Sequence, residues 1–241
     1  SLTTFSLVDS PSQSQFLLDE RVISAEKSGV FCKGSISGVD TTKFKPDTQS
    51  AKTLRAQCHI PDKAVLLLFI GRLTVDKGVL DLAAAYSQLE NKDVHLLFVG
   101  PDEQGMQAQI NQIVASGKNV HFIGHTNTPE LYMAMADVLC LPSYREGFGT
   151  VLIEAAAVGV PAVASRIYGI LDAVTDCETG LLHKPGSVDS LRACLDTLIQ
   201  KPDLRLKLGN QAKHRAVNDF DSRLVTKAWV SGAYGKLIEI R

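Results

Sequence analysis

From residue 63 onward the chain repeats one pattern. A short, nearly continuous apolar run ends at a turn residue and is followed by a longer stretch of mixed polarity. Ala64-Val65-Leu66-Leu67-Leu68-Phe69-Ile70 stops at Gly71, and Val94-His95-Leu96-Leu97-Phe98-Val99 stops at Gly100-Pro101. Val120-His121-Phe122-Ile123 stops at Gly124, Val138-Leu139-Cys140-Leu141 at Pro142-Ser143, and Val160-Pro161-Ala162-Val163-Ala164 at Ser165. Runs without polar alternation suit strands buried on both faces, as in a parallel sheet. Residues 77–89, 106–115, 129–136, 150–157 and 187–200 carry apolar positions at helical spacing; in the first of these they are Val79, Leu80, Leu82, Ala83, Ala84, Tyr86 and Leu89. Strand and helix in alternation predict an α/β fold, a doubly wound parallel sheet with right-handed crossovers.

In such a sheet ligands bind beyond the carboxyl ends of the strands. Those ends hold the unusual residues: Gly71-Arg72, Gly100-Pro101-Asp102, Gly124-His125 and Ser143-Tyr144-Arg145-Glu146-Gly147. The flanks read differently. Residues 1–29 contain one strand-like piece (Phe5-Ser6-Leu7-Val8) and one helix-like piece over 12–27, too little for a domain. Ser37-Gly38-Val39-Asp40 and Phe44-Lys45-Pro46-Asp47 read as loop, and residues 224–240 as a final helix with Val225, Ala228, Trp229, Ala233 and Leu237 available to pack.

Composition narrows the class without naming it. The chain has 241 residues, 45% apolar and 21% charged, with a net charge of −1, so no strongly basic surface advertises nucleic acid. Its five cysteines, Cys32, Cys58, Cys140, Cys177 and Cys194, form no CxxC or zinc-knuckle spacing. They read as small buried hydrophobes in a reducing compartment. No apolar run reaches transmembrane length, and the start shows no signal peptide. It opens on Ser1 rather than Met, which reads as a processed product or as part of a longer chain.

The candidate chemistry centres on Gly147-Phe148-Gly149-Thr150, which leads into the helix over 150–157. Two glycines before a helix allow close backbone approach and leave amide N–H groups free, and the helix N-terminus adds partial positive charge; the place suits a phosphate. Alone this signal is weak, because such turns are common for steric reasons. Glu146 and Glu154 sharpen it. An ionised carboxylate only accepts hydrogen bonds, so it suits sugar or ribose hydroxyls. Glu154 also lies among apolar neighbours, where a charge needs a partner or a ligand. Arg72, after Gly71, and Lys77, at a helix start, would supply cations for an anion bridging them to the Gly147–Thr150 amides. The bland alternative for both is a solvated surface charge.

Taken in order, Gly71-Arg72-Leu73-Thr74-Val75-Asp76-Lys77-Gly78, Val99-Gly100-Pro101, Gly124-His125 with Pro129-Glu130-Leu131-Tyr132, Pro142-Ser143-Tyr144-Arg145-Glu146-Gly147-Phe148-Gly149, Glu154-Ala155, Gly159-Val160-Pro161-Ala162-Val163-Ala164-Ser165 and Thr179-Gly180-Leu181-Leu182 resemble the C-terminal domain of family 4 retaining glycosyltransferases of the GT-B fold. The likeness covers roughly residues 30–240. It implies a Rossmann-like nucleotide-sugar-binding domain over 30–220, a remnant of an N-terminal acceptor domain and linker over 1–29, and a C-terminal helix over 221–241 that packs on the N-terminal domain. It implies a hexosyltransferase that moves a sugar from a nucleotide-diphosphate sugar, UDP by default, to a glycan or lipid-linked acceptor, as in bacterial polysaccharide or lipopolysaccharide biosynthesis. The acceptor domain would lie outside this chain, leaving the isolated chain inactive or weakly active. Neither metal nor cofactor is implied. The full-length enzyme would be cytoplasmic and compatible with peripheral association at the inner face of the membrane.

By residue, the resemblance implies that Arg72 and Lys77 bind the diphosphate and stabilise the leaving group, with Gly71 at the preceding strand end. Glu146 would hold the donor sugar, with Gly147, Phe148, Gly149 and Thr150 offering amides. Glu154 would bind the ribose, and His125 would help hold the base. One segment departs from the family pattern: Ile167-Tyr168-Gly169-Ile170-Leu171-Asp172 stands where a Gly-Gly-Ile/Val-Pro-Glu type turn is frequent. On the residues alone, a nucleotide-sugar epimerase of the same architecture and a non-catalytic nucleotide-binding or interaction module remain open.

Overall fold

A computed structural model describes residues 5–114 and 119–239, with side chains through 232. Its elements begin with β1 (Ser6–Leu7), α1 (Pro11–Asp19), β2 (Ser28–Gly29) and α2 (Thr48–Gln57). Then come β3 (Val65–Ile70), α3 (Val79–Ser87), β4 (Val94–Val99), α4 (Met106–Ile113), β5 (Asn119–Ile123), α5 (Pro129–Met135) and β6 (Val138–Leu141). The chain closes with α6 (Thr150–Val158), β7 (Ala162–Ser165), α7 (Ile170–Ala173), β8 (Gly180–His183), α8 (Val188–Gln200), α9 (Pro202–Asp219) and α10 (Ser222–Glu239).

Strands β3 to β8 form one parallel sheet in the order β5-β4-β3-β6-β7-β8. Counted from β3, this is the 3-2-1-4-5-6 order of the doubly wound dinucleotide fold. Its winding reverses between β3 and β6, and the crevice beyond their carboxyl ends is where such sheets hold ligands. Each of the apolar runs is a strand of this sheet, and Leu66, Leu67, Leu68, Leu96, Leu97 and Phe98 are fully buried in its centre. Helices such as α3, α4 and α8 pack by an apolar stripe.

Several sequence expectations are corrected. The predicted helix over 12–27 is broken: α1 stops at Asp19, Arg21 takes a positive φ of 57°, and a separate 3-10 turn covers Ala25–Lys27. The predicted helix over 77–89 starts at Val79, after a 3-10 turn Val75–Lys77. Val160 and Pro161 precede β7, since Pro has no N–H to give to a ladder. Strand β8 and helices α2 and α9 were not foreseen. Helix α2 buries only Ala51, so its sequence carries almost no periodic signal. Helix α9 buries Leu208, Ala212 and Ala216 every fourth residue, a stripe too small and too polar in its surroundings to stand out. Cys140 is buried in β6, whereas Cys32 and Cys177 are exposed, each at a residue with positive φ in a turn.

The N-terminal flank packs onto the sheet domain. Ser10 is fully buried, and Phe16 stacks on Tyr168 with ring centroids 4.5 Å apart. The start of α10 is tied to the loop around Val39: Val39 N–H donates to Phe220 O at 2.7 Å and Ser222 N–H to Val39 O at 2.8 Å. Val225 is buried, and Trp229 meets Phe31 edge to face, while Leu224 and Val230 stay exposed on α10 and Val22 beyond α1. The expected packing residues Ala233 and Leu237 lie outside the described side chains. Among the described residues no helix is long and apolar enough to cross a membrane.

Candidate functional site

Two loops meet above the crevice between β3 and β6. The first runs from Gly71 to Gly78, the second from Pro142 to Gly149. Their contact depends on Gly78, which has φ 68° and would bring a Cβ within 2.1 Å of Pro142 O. No other residue type fits both the conformation and the space. Tyr144 N–H donates to Asp76 O at 2.9 Å, and Tyr144 OH to Asp81 Oδ2 at 2.6 Å, fastening the second loop to the first. The Tyr144 phenol is pushed above its ordinary pKa, chiefly because it donates to Asp81. Asp76 is held below the usual carboxylate range, first by the Thr74 hydroxyl at 2.6 Å.

This docking brings Lys77 and Glu146 together. Lys77 Nζ donates to Glu146 Oε1 at 2.7 Å, and Ser143 Oγ donates to the same oxygen at 2.8 Å. Both charged side chains are largely buried, 19% and 13% exposed. Lys77 therefore does not sit in the first turn of a helix; it closes a 3-10 turn, and Glu146 offsets its charge. Arg72, in contrast, is exposed and makes no hydrogen bond or ion pair among the described residues.

Gly149 caps α6 in the left-handed conformation, φ 77° and ψ 58°, with no side-chain cap. Leu152 N–H donates to Gly149 O at 2.8 Å, which leaves the Thr150 and Val151 amides available to a ligand anion. Thr150 is exposed at the helix start. The Phe148 side chain points away from the crevice: it is 3% exposed and meets Phe220 edge to face at 5.3 Å. Only its backbone is available to a ligand.

Glu154 lies in the second turn of α6 and is partly buried. Burial raises its pKa; nearby Lys43 opposes that rise and Glu130 adds to it. Lys43 Nζ stands 3.3 Å from Glu130 Oε2, which accepts no geometric hydrogen bond. Two carboxylates thus share one ammonium beside α5 and α6. The sequence gives no sign of Lys43 here, and Glu130, part of the family-like Pro129–Tyr132 segment, carries no role in it; the two lie on other segments and show no common spacing with Glu154. His125 is exposed after β5, with Nε2 3.2 Å from Asn127 Oδ1. Among the described residues no three His, Cys, Asp or Glu side chains converge as a metal-ligating group.

A doubly wound sheet whose reversal point carries a capping glycine, a free arginine, a lysine–glutamate pair and a second half-buried acid defines a Rossmann-like domain with a candidate anion site. Comparison with known proteins makes this more particular. Residues 50–215 match the family described as glycosyl transferases group 1, and the chain belongs to that family. It is 28% identical over 197 residues to the capsular polysaccharide biosynthesis glycosyltransferase CapM of Staphylococcus aureus, an alignment covering 80% of this chain and 51% of CapM. Among solved structures it resembles sucrose-phosphate synthase from Thermosynechococcus elongatus, with TM-score 0.83, 28% identity, and coverage of 98% of this chain and 58% of the synthase. It also resembles HepE of Anabaena, solved in complex with UDP and glucose, with TM-score 0.87, 23% identity, and coverage of 96% and 63%; that likeness concerns the fold. The chain spans about half the length of the curated relatives it matches. Its architecture is that of the C-terminal domain of a GT-B enzyme, as the resemblance implied.

Proposed function

We propose that this chain is the donor-binding half of a retaining, metal-independent family 4 hexosyltransferase that uses a nucleotide-diphosphate sugar, with UDP as the expected nucleotide. The observation that carries this reading is the meeting of Lys77 and Glu146 at 2.7 Å beside the Gly149 cap, at the point where the sheet reverses. A diphosphate placed there would face Arg72, Lys77 and the α6 amides, and its attached sugar would pass Glu146.

In transfer, the bond between the anomeric carbon and the β-phosphate oxygen breaks, an acceptor hydroxyl oxygen bonds to the same carbon and gives its proton to the departing diphosphate, and negative charge grows on that diphosphate as it leaves. Fixed donors aimed at growing charge lower a barrier most when they need no rearrangement. The α6 amides are fixed in this way, and Lys77 is held nearby by Glu146. Glu154 would accept from the ribose hydroxyls; Glu146 would accept from the sugar. The acceptor would be a glycan or lipid-linked sugar, and the place of work the cytoplasm, at the inner face of the membrane. The UDP complexes of HepE and the role of CapM in capsular polysaccharide biosynthesis support this choice of donor and acceptor class.

Calorimetry with UDP, GDP and ADP tests the reading. The expected result is binding of UDP, weakened in both Arg72→Ala and Glu154→Ala. Failure to bind any of the three would instead favour a module without a donor site.

A further inference from the structure

Against Gly147 stands a segment from a distant part of the chain. It is fastened there at three points. Ser10 Oγ donates to Gly147 O at 3.0 Å. Ser12 Oγ donates to Asp172 Oδ2 at 2.5 Å and accepts from Gly169 N–H at 2.7 Å, and Ser12 N–H donates to Asp172 Oδ2 at 2.8 Å. Gly169 in turn lies on the loop that carries Glu146: a Cβ there would stand 2.6 Å from both Glu146 O and Gly147 O. Arg215 fixes the far side by donating to Ala173 O at 2.7 Å and Asp172 O at 2.6 Å.

Two side chains of this segment are left unused. Asp9 and Gln13 are half-buried, and neither side chain makes a hydrogen bond or ion pair among the described residues. Both face the same residue: a Cβ on Gly147 would stand 2.9 Å from Asp9 Oδ2 and 3.6 Å from Gln13 Nε2. A carboxylate and an amide held without partners in a rigid frame beside Gly147 are available to a ligand. As an acceptor-only group the carboxylate suits hydroxyls, while the Gln13 amide can both donate and accept.

We propose that Asp9, assisted by Gln13, determines donor-sugar specificity by accepting hydrogen bonds from the hydroxyls of a neutral hexose beyond Glu146. Two carboxylates, Glu146 and Asp9, then border the sugar and repel a hexuronate. This rests on the donor-binding reading above. With the diphosphate at Arg72 and Lys77 and the ribose at Glu154, the sugar is the part that reaches Gly147.

Calorimetry on this chain with UDP, UDP-glucose and UDP-glucuronate separates the two readings. Asp9→Asn is isosteric; it should leave UDP affinity within about twofold and weaken UDP-glucose by roughly tenfold, as for one lost charge-assisted hydrogen bond. The same variant should tighten UDP-glucuronate. Gln13→Ala should weaken UDP-glucose only, and unfolding midpoints of both variants should match the parent. Unchanged affinities for all three probes in both variants, or an equal loss for UDP and UDP-glucose, would overturn the role of Asp9 while leaving the donor site intact. A parent chain that binds no nucleotide or nucleotide sugar would overturn the donor-binding reading itself, and the role of Asp9 with it.

Discussion

The substitution Glu146→Gln separates the phosphate and sugar functions of the crevice by sign. Gln keeps the shape and an amide oxygen that can still accept from Lys77 and Ser143, but it removes the negative charge. In the parent chain Lys77 lies 2.7 Å from Glu146 Oε1, with both side chains mostly out of solvent. At that separation a unit pair is worth about 1.5 kcal/mol in water-like surroundings and about 6 kcal/mol at an effective dielectric of 20, before desolvation is subtracted. A diphosphate competes for the same ammonium, so it recovers only a part when Glu146 is neutral. Relief of about 1 kcal/mol, or roughly fivefold tighter UDP binding, is a reasonable share. The sugar should respond oppositely, because a carboxylate is a stronger acceptor for hydroxyls than an amide oxygen. Calorimetry with UDP and UDP-glucose, at fixed ionic strength, reads both. Tighter UDP with a smaller gain from the glucose moiety is the expected pair of results. UDP weakened as much as UDP-glucose would refute the reasoning, because Glu146 would then act mainly by holding Lys77 in place.

Other outcomes follow from the same geometry. Arg72→Ala should leave unfolding free energy within about 0.5 kcal/mol of the parent, since exposed, unpartnered charges contribute little, while weakening UDP in calorimetry. Gly78→Ala should cost at least about 2 kcal/mol in urea denaturation, because the residue combines a positive φ with a contact no neighbouring backbone can relieve; UDP binding should fall with it. Glu154→Gln should stabilise the unliganded fold at pH 7. Burial raises the folded pKa of Glu154, so its ionisation opposes folding, and that cost is absent below the ordinary glutamate value of 4.5 and present above the raised one. Denaturation at pH 4 and pH 7 should show the advantage of the variant only at the higher pH; an equal advantage at both would point to packing instead.

The hydrophobic pattern alone located the sheet from β3 to β7, because strands buried on both faces must be apolar at every position. It also placed Gly71-Arg72 and Glu146–Thr150 at strand ends, where an α/β sheet collects its ligands. Two things it could not show. Helix α2 buries only Ala51 and the stripe of α9 is mostly small residues, so only their docking, α2 on α5 and α9 on α6, reveals them. The strand order was equally hidden: that β6 lies beside β3, and not beside β5, is decided by long-range pairing and crossover packing. That single fact joins Lys77 to Glu146, residues with no local relation in the chain. Packing between distant segments likewise sets Lys43 and Glu130 beside Glu154, and the hydrogen bonds of Ser10 and Ser12 set Asp9 over Gly147. Local sequence determined which residues could do chemistry, since side-chain type and turn propensity are local properties. Tertiary structure decided which of them meet, because contact between distant segments is a property of the packed sheet as a whole.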